Sequence, residues 1–210
     1  MVEAVFFDVG STLIRPCPSV AETMARAAAE RGHALTVRDF ELHMPAMDAY
    51  YEAEYLRDGD FWCSHEGSTA IWLDQYRYVC HLAGIGHDAE GMAAAVNEAY
   101  RHASSWEVYA DVAGCLRALK ERGLALGVVS NWDAELEDLL RGLKLLPYFD
   151  TVVSSAAVGY RKPNPVIFDL ACEQLGVRPG ACAHVGDRPD ADGDGAQAAG
   201  IRPVMITGDH

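Results

Sequence analysis

The chain has 210 residues, half of them hydrophobic, and carries 31 acidic against 17 basic side chains, a formal charge of −14. That length and apolar content suffice to bury a real core, either as one large domain or as a domain with an insertion. The acidic balance argues against a nucleic-acid or anionic-membrane surface, which needs a basic face, but leaves room for a small anionic substrate, because a metal ion or a few focused donors reverse the sign locally.

Taken in chain order, "EAVFFDV" (residues 3–9) is continuously apolar up to its aspartate, as expected of a strand buried on both faces. Residues 16–105 then change character. "SVAETMARAAAERG", "VRDFELHMPAMDAYYEAEYLRDG", "GSTAIWLDQYRYVCHLAGI" and "DAEGMAAAVNEAYRHA" all read as helices, the second kinked or split at Pro45. The aromatics Tyr50, Tyr51, Tyr55, Phe61, Trp62, Trp72, Tyr76 and Tyr78 gather here, chiefly as bundle core, with some expected to line a pocket.

From about Tyr109 strands and helices alternate. "DVAGCLRALKERG" is an amphipathic helix with Leu116 and Leu119 inward and Gly123 as its stop, and "LALGVVSN" is a buried strand. "DAELEDLLRGL" is a helix capped near Asp133, and "FDTVVSS" a short strand. "NPVIFDLACEQLG" is a helix with Pro165 in its first turn and Gly176 at its end. "CAHVGD" is a strand, "ADGDGAQAAG" a small-residue helix and "RPVMIT" a last strand. Such alternation means an α/β fold with a doubly wound, Rossmann-like parallel sheet, here made of residues 1–15 and 106–210 with an all-helical subdomain, 16–105, inserted after the first strand.

The six cysteines (Cys17, Cys63, Cys80, Cys115, Cys172, Cys182) show no C-x-x-C spacing, so neither a zinc site nor a thioredoxin-type centre is expected. They read as reduced thiols, mostly core packing, in a cytoplasmic protein. The opening residues lack the basic region of a secretion leader, and no stretch reaches the roughly 18 apolar residues of a spanning helix. Neither an internal repeat nor a low-complexity segment is evident.

Ligands of doubly wound sheets sit beyond the carboxyl ends of the strands. Those ends here carry Asp8, Ser130 with Asn131, Lys162 in the loop before a helix, and Asp187 with Asp192. Any one alone is an ordinary cap, turn or solvated residue; four on successive strand ends point to a shared cleft. Clustered carboxylates would repel one another, and a divalent cation relieves this. Oxygen ligands suit Mg2+. Lys162 adds a positive charge opposite the metal, and Ser130 with turn N–H groups can hold an anion.

Together "FFDVGSTLI", "GVVSN", "RKPNPVIF" and "HVGDRPDADGDGAQAAG" resemble the four ordered motifs of the haloacid dehalogenase-like (HAD) hydrolase superfamily, across the whole chain and including a helical cap after the first strand. The resemblance implies Asp8 as a nucleophile that takes the phosphoryl group while its other oxygen binds Mg2+. It implies the Gly10 carbonyl as a second metal ligand and Thr12 as a support of the turn. Ser130 and the Asn131 backbone would hold the phosphoryl group, and Lys162 would neutralise charge on it and on Asp8. Asp187 would ligate the metal, with Asp192 supporting it directly or through water and Lys162. The departure is Gly10, where most phosphatases of that superfamily have an aspartate as general acid, a contribution worth about 10²–10⁴-fold.

Three activities fit these residues. The first is a Mg2+-dependent phosphatase for a small phosphorylated metabolite, its acid supplied elsewhere, with Asp60, His65 and Glu66 as candidates. The second is a 2-haloacid dehalogenase, disfavoured by Gly10 and by the metal-type "GDRPDAD". The third is a binding or regulatory protein with little turnover. Phosphonatase chemistry needs a cap lysine, and the lysines are Lys120, Lys144 and Lys162. The cap arginines Arg26, Arg31, Arg38, Arg57, Arg77 and Arg101 are candidates for a second anionic group on the substrate. The residues leave the substrate and the oligomeric state open.

Overall fold

A computed structural model describes residues 2–206. Its chain divides into two compact units: residues 1–15, 62–65 and 107–210 form the first, and 16–61 with 66–106 the second. In chain order, β1 (Ala4–Phe7) leads through a tight turn to β2 (Ile14–Pro16), followed by α1 (Val20–Glu30), α2 (Val37–Glu41), α3 (Met44–Asp58), α4 (His65–Leu82) and α5 (Ala89–Tyr100). Then come β3 (Trp106–Val108), α6 (Val112–Glu121), β4 (Ala125–Ser130), α7 (Leu136–Gly142), β5 (Thr151–Ser154), α8 (Ser155–Val158), α9 (Pro165–Leu175), β6 (Cys182–Gly186), α10 (Gly195–Ala198) and β7 (Arg202–Met205).

The main sheet of the first unit has the order β5-β4-β1-β6-β7, with every pairing parallel. β1 is therefore central, and all four of its residues are buried, which is why it reads as an unbroken apolar run. Chain order runs outward from β1 to β4 and β5, then crosses back to β6 on the other side. That reversal puts the topological switch point of the sheet beside β1. Ala4 and Phe6 on one face join Val129, Val153, Ile167, Phe168 and Ala171 in a core built by α9 against the sheet.

In the second unit, α1 opens on a capping box in which the Ser19 hydroxyl accepts from the Glu22 N–H and the Glu22 carboxylate accepts from the Ser19 N–H at 2.8 Å. Met24, Ala28, Phe40, Val79, Cys80, Met92 and Val96 are fully buried in its core. Arg31 and His33 converge on Asp88 at the start of α5. The aromatic ladder Tyr51–Trp72–Tyr76 stacks along the helices, as helical spacing predicts for core residues.

The long second helix is split, as one of the two expected outcomes at Pro45, into α2 and α3; the break falls just before Pro45, which lies in the first turn of α3, where its missing N–H costs no intrahelical bond. Several elements differ from the sequence reading. α7 starts only at Leu136; Asp133 instead accepts from the Glu135 N–H in the preceding turn. The small-residue helix is a wide π-type turn, Pro189–Asp194, followed by the short α10. β2 and β3, three residues each, pair as a separate two-stranded sheet too short to leave an alternation pattern. The last strand ends at Met205; Thr207 of the expected "RPVMIT" lies outside the described residues. Among the described residues no helix is long and apolar enough to cross a membrane. Cys80, Cys172 and Cys182 are buried as expected of packing thiols, whereas Cys17 and Cys115 are exposed.

Gly127, mid-β4, shows how tightly the sheet centre is filled: a Cβ there would sit 2.7 Å from both Phe6 Cδ1 and Thr151 Cγ2. Overpacking of this kind costs about 1–3 kcal/mol, so Gly127→Ala is expected to lower the unfolding free energy by that amount, read as a lower urea midpoint at unchanged slope. An unchanged midpoint would show that Phe6 yields at no cost.

Candidate active site

The site starts where β1 ends. The Asp8 N–H donates to the Val185 carbonyl at 2.9 Å, so the carboxylate leaves the sheet from a fixed main chain. The next residues fold back sharply: the N–H groups of Thr12, Leu13 and Ile14 all aim at the Val9 carbonyl, and Ser11 takes a φ of 55°. Ser11, not Gly10, thus carries the left-handed backbone of this turn. A Cβ at Gly10 would meet one neighbour, Trp132 Cζ3 at 3.3 Å.

Three further segments converge on Asp8. From the end of β4, the Ser130 hydroxyl donates to Asp8 Oδ1 at 2.8 Å. From the loop before α9, Lys162 Nζ donates to the same oxygen at 2.6 Å and to Asp192 Oδ1 at 2.6 Å. From β6 and its following turn, His184 Nε2 meets Asp192 Oδ1 at 2.8 Å, and the Arg188 N–H donates to Asp192 Oδ2 at 3.0 Å. Lys162 is 2% exposed and Asp192 1%. Gly186 makes room for this arrangement, since a Cβ there would lie 2.2 Å from Asp192 Cγ.

Asn131 also has a side-chain task of its own, beside whatever its main chain holds. Its side chain brackets the Lys162 main chain, Oδ1 accepting from the Lys162 N–H at 2.7 Å and Nδ2 donating to the Lys162 carbonyl at 3.1 Å. It therefore ties the β4 end to the lysine loop. The Thr12 hydroxyl is buried and makes no hydrogen bond among the described residues; the turn is held by main-chain bonds instead. Asp60, His65 and Glu66, the candidate acids, are all exposed.

The charges follow from this geometry. Burial opposes the Lys162 charge, but Asp8 and Asp192 outweigh it and raise the ammonium above its ordinary range. Burial likewise opposes charge on Asp192, yet Lys162 and His184 hold it well below the usual carboxylate range. Burial lowers His184, keeping the imidazole neutral. Asp187 is the exception: burial, then the charges of Asp8 and Asp192, push it up to about 6. Asp8, Asp187 and Asp192 each bring a carboxylate oxygen within 4.8 Å of the others. Three hard oxygen donors carrying more negative charge than one ammonium balances suit a small divalent cation such as Mg2+.

Sequence reasoning brought Asp8, Ser130, Lys162, Asp187 and Asp192 to one cleft, and the structure brings them together. It overlooked His184. The available signal was a ring nitrogen in "CAHVG", a strand otherwise made of small and apolar residues.

The profile of the haloacid dehalogenase-like hydrolases matches residues 2–200. Haloacid dehalogenase-like hydrolase domain-containing protein 3 of Mus musculus is 35% identical over 205 residues, covering 96% of this chain and 80% of its own. Glyceraldehyde 3-phosphate phosphatase of Methanopyrus kandleri is 32% identical over 211 residues, covering 98% and 84%. The crystal structure of a HAD phosphatase from Thermococcus onnurineus superposes with a TM-score of 0.65 at 25% identity, covering 100% of this chain and 89% of that one. With its sheet order, its strand-end residues and a match across nearly its whole length, the chain belongs to the haloacid dehalogenase-like hydrolases.

Proposed function

We propose that this protein is a Mg2+-dependent phosphatase acting on a small phosphorylated metabolite through an aspartyl-phosphate on Asp8. The observation that carries the reading is Asp8 itself: a carboxylate at the sheet's switch point, with Ser130 and Lys162 both donating to Oδ1. In the first half-reaction an Asp8 oxygen forms a bond to phosphorus as the bond to the leaving oxygen breaks. In the second, water attacks phosphorus and the Asp8 carboxylate is released. Phosphoryl transfer needs positioning and neutralisation of equatorial oxygen charge, which the Lys162 ammonium and Ser130 hydroxyl are placed to supply. Asp8, Asp187 and the Gly10 carbonyl would hold the metal, with Asp192 acting through Lys162 because its oxygens already accept three donors. When bound, Mg2+ would supply further charge neutralisation at the phosphoryl oxygens. The phosphatase relatives support a phosphorylated metabolite as the substrate class. Clustering of Asp187 with Asp8 and Asp192 supports phosphoryl over halide chemistry.

A screen of phosphorylated metabolites in Mg2+ tests this. Turnover of at least one is expected, abolished by Asp8→Asn, with a phosphoryl adduct trapped on the peptide containing Asp8. No turnover above the Asp8→Asn control on any compound would leave a binding protein. Halide release from 2-chloropropionate without metal would replace the reading with dehalogenation.

Asp187 gives a pH-dependent prediction. Its carboxyl is raised from 3.8 to about 6 in the folded, metal-free protein, so the folded state binds the extra proton between those values. Its contribution to stability is therefore present below pH 3.8 and lost as pH rises through about 6. With chelator present, Asp187→Asn should raise the melting temperature at pH 8 but not at pH 4. Mg2+ should raise the melting temperature of the wild type at pH 8 and leave Asp187→Asn unmoved. Equal metal responses of the two proteins would remove Asp187 from the ligand set.

The missing acid gives another. A side chain at residue 10 grows toward the Trp132 indole, 3.3 Å from its Cβ, while the Trp132 main chain is held by Ser155 and Ala156. Gly10→Asp alone is expected to do little for hydrolysis of phenyl phosphate, a poor leaving group. Gly10→Asp with Trp132→Leu should recover part of the about 10²–10⁴-fold that a general acid supplies. Equal rates in the single and double variants would show that the indole is no obstacle.

A further inference from the structure

His184 takes no part in the chemistry outlined above, yet its surroundings give it one polar task. It sits in the middle of β6 with no exposed surface. By register it lies between Phe6 of β1 and Pro203 of β7, and the Phe168 ring meets its own edge-to-face at 5.0 Å. The imidazole is thus wrapped in apolar groups except at Nε2, which faces Asp192 Oδ1 at 2.8 Å. Its Nδ1 is buried without a hydrogen-bond partner among the described residues. A buried, unsatisfied ring nitrogen is a cost that leucine, methionine or phenylalanine would avoid. Packing alone therefore does not account for a histidine here.

We propose that His184 is a positioning residue: its Nε2–H anchors Asp192 Oδ1 and thereby fixes the Lys162 ammonium against Asp8. An ionised carboxylate can only accept, so the nitrogen facing it carries the proton whatever the state of Nδ1. Asp192 receives His184 and Lys162 on one oxygen and the Arg188 N–H on the other, and Gly186 lies directly beneath its carboxyl group. Those contacts set the carboxylate's rotation about its Cβ–Cγ bond. Lysine is a point charge on a flexible four-carbon stem, so its direction comes from its partners. Of the two carboxylates that hold Lys162, Asp8 is the one the reaction changes, which leaves Asp192 as the fixed reference. Loss of the His184 donor would leave Asp192 Oδ1 to Lys162 alone, with only the Arg188 N–H on Oδ2 to resist rotation, and let the ammonium drift from Asp8. The role assigned to Lys162 in this inference rests on the phosphatase reading; the linkage from His184 to Lys162 does not.

The chain has three lysines, Lys120, Lys144 and Lys162, and Lys162 is the buried one. In full-length protein labelled with 15N-lysine, the wild type should therefore show one slowly exchanging ammonium signal. His184→Leu is expected to lose that protection and to lower kcat for p-nitrophenyl phosphate in Mg2+ by about 10–100-fold, the usual range for partners that orient a ligand, with KM little changed. His184→Gln, whose amide nitrogen reaches about as far as Nε2, should restore both. His184→Asn, whose amide stops short, should not, and it answers the case in which leucine prevents folding. Wild-type protection and kcat in a folded His184→Leu or His184→Asn protein overturns the inference, as does their loss in a folded His184→Gln protein. A wild type with no turnover above Asp8→Asn sinks the phosphatase reading instead, while the ammonium signal still decides the linkage.

Discussion

The Lys162 ammonium is 2% exposed, and a charge that deep is tolerated only when it is paired and its protons are used. Asp8 and Asp192 accept from it at 2.6 Å each, which explains much of the local sequence. Asn131 spends both ends of its amide on the Lys162 main chain because a long flexible stem needs a fixed root. Gly186 lacks a side chain because Asp192 occupies that space. Removing one partner of such a buried pair costs about 3–5 kcal/mol, since the other charge is left uncompensated. The cluster is thus as much a structural unit as a chemical one, and side chains from β1, β4, β6 and the lysine loop are locked into one network.

The network is nevertheless out of balance. Lys162 satisfies Asp8 and Asp192, and His184 adds a donor without a charge while its imidazole stays neutral. Among the described residues Asp187 has no comparable cationic partner, and burial, then the charges of Asp8 and Asp192, push its carboxyl up to about 6. Two of the three carboxylates are therefore held by the protein and one awaits something else. A proton answers that need at low pH; on the proposed reading a divalent cation would answer it at neutral pH. The same excess of negative charge would repel a phosphate ester, so cation binding and substrate binding are expected to be coupled, with the overall charge of −14 making the coupling stronger.

Much of this was legible in the sequence because it rests on strand ends. A parallel sheet converts separate polar residues after apolar runs into neighbours, so Asp8, Ser130, Lys162 and Asp187 could be grouped before any coordinates. What stayed hidden depends on side-chain direction. Asn131 reads as one more strand-end polar group, yet its amide turns to the backbone of a loop 31 positions away. His184 lies inside a strand, where periodicity says only that a residue is buried and nothing of the carboxylate it meets. The three-residue strands β2 and β3 are too short for any pattern, whereas Pro45 left a signal: it marks the break between α2 and α3, at which a kink or a split was expected.

Gly10 gains a different meaning from its surroundings. Gly159 and Gly176 have positive φ, which a side chain would strain, and Gly186 and Gly127 lie too close to their neighbours for any Cβ. Gly10 belongs to neither group. Ser11 bears the positive φ of the turn, and the one atom near a Cβ at residue 10 belongs to a side chain rather than to the main chain. The backbone thus permits a side chain two residues after Asp8, and the Trp132 indole, 3.3 Å from the Cβ, would have to give by a few tenths of an ångström. On the phosphatase reading, the missing general acid is therefore not forced by the backbone; it involves a pair of residues, one small and one large, contributed by the turn after β1 and the segment after β4. An enzyme built this way would depend on leaving groups that depart without a proton, or on an acid brought by the substrate, and its selectivity would follow leaving-group chemistry more closely than that of a relative with an aspartate at this position.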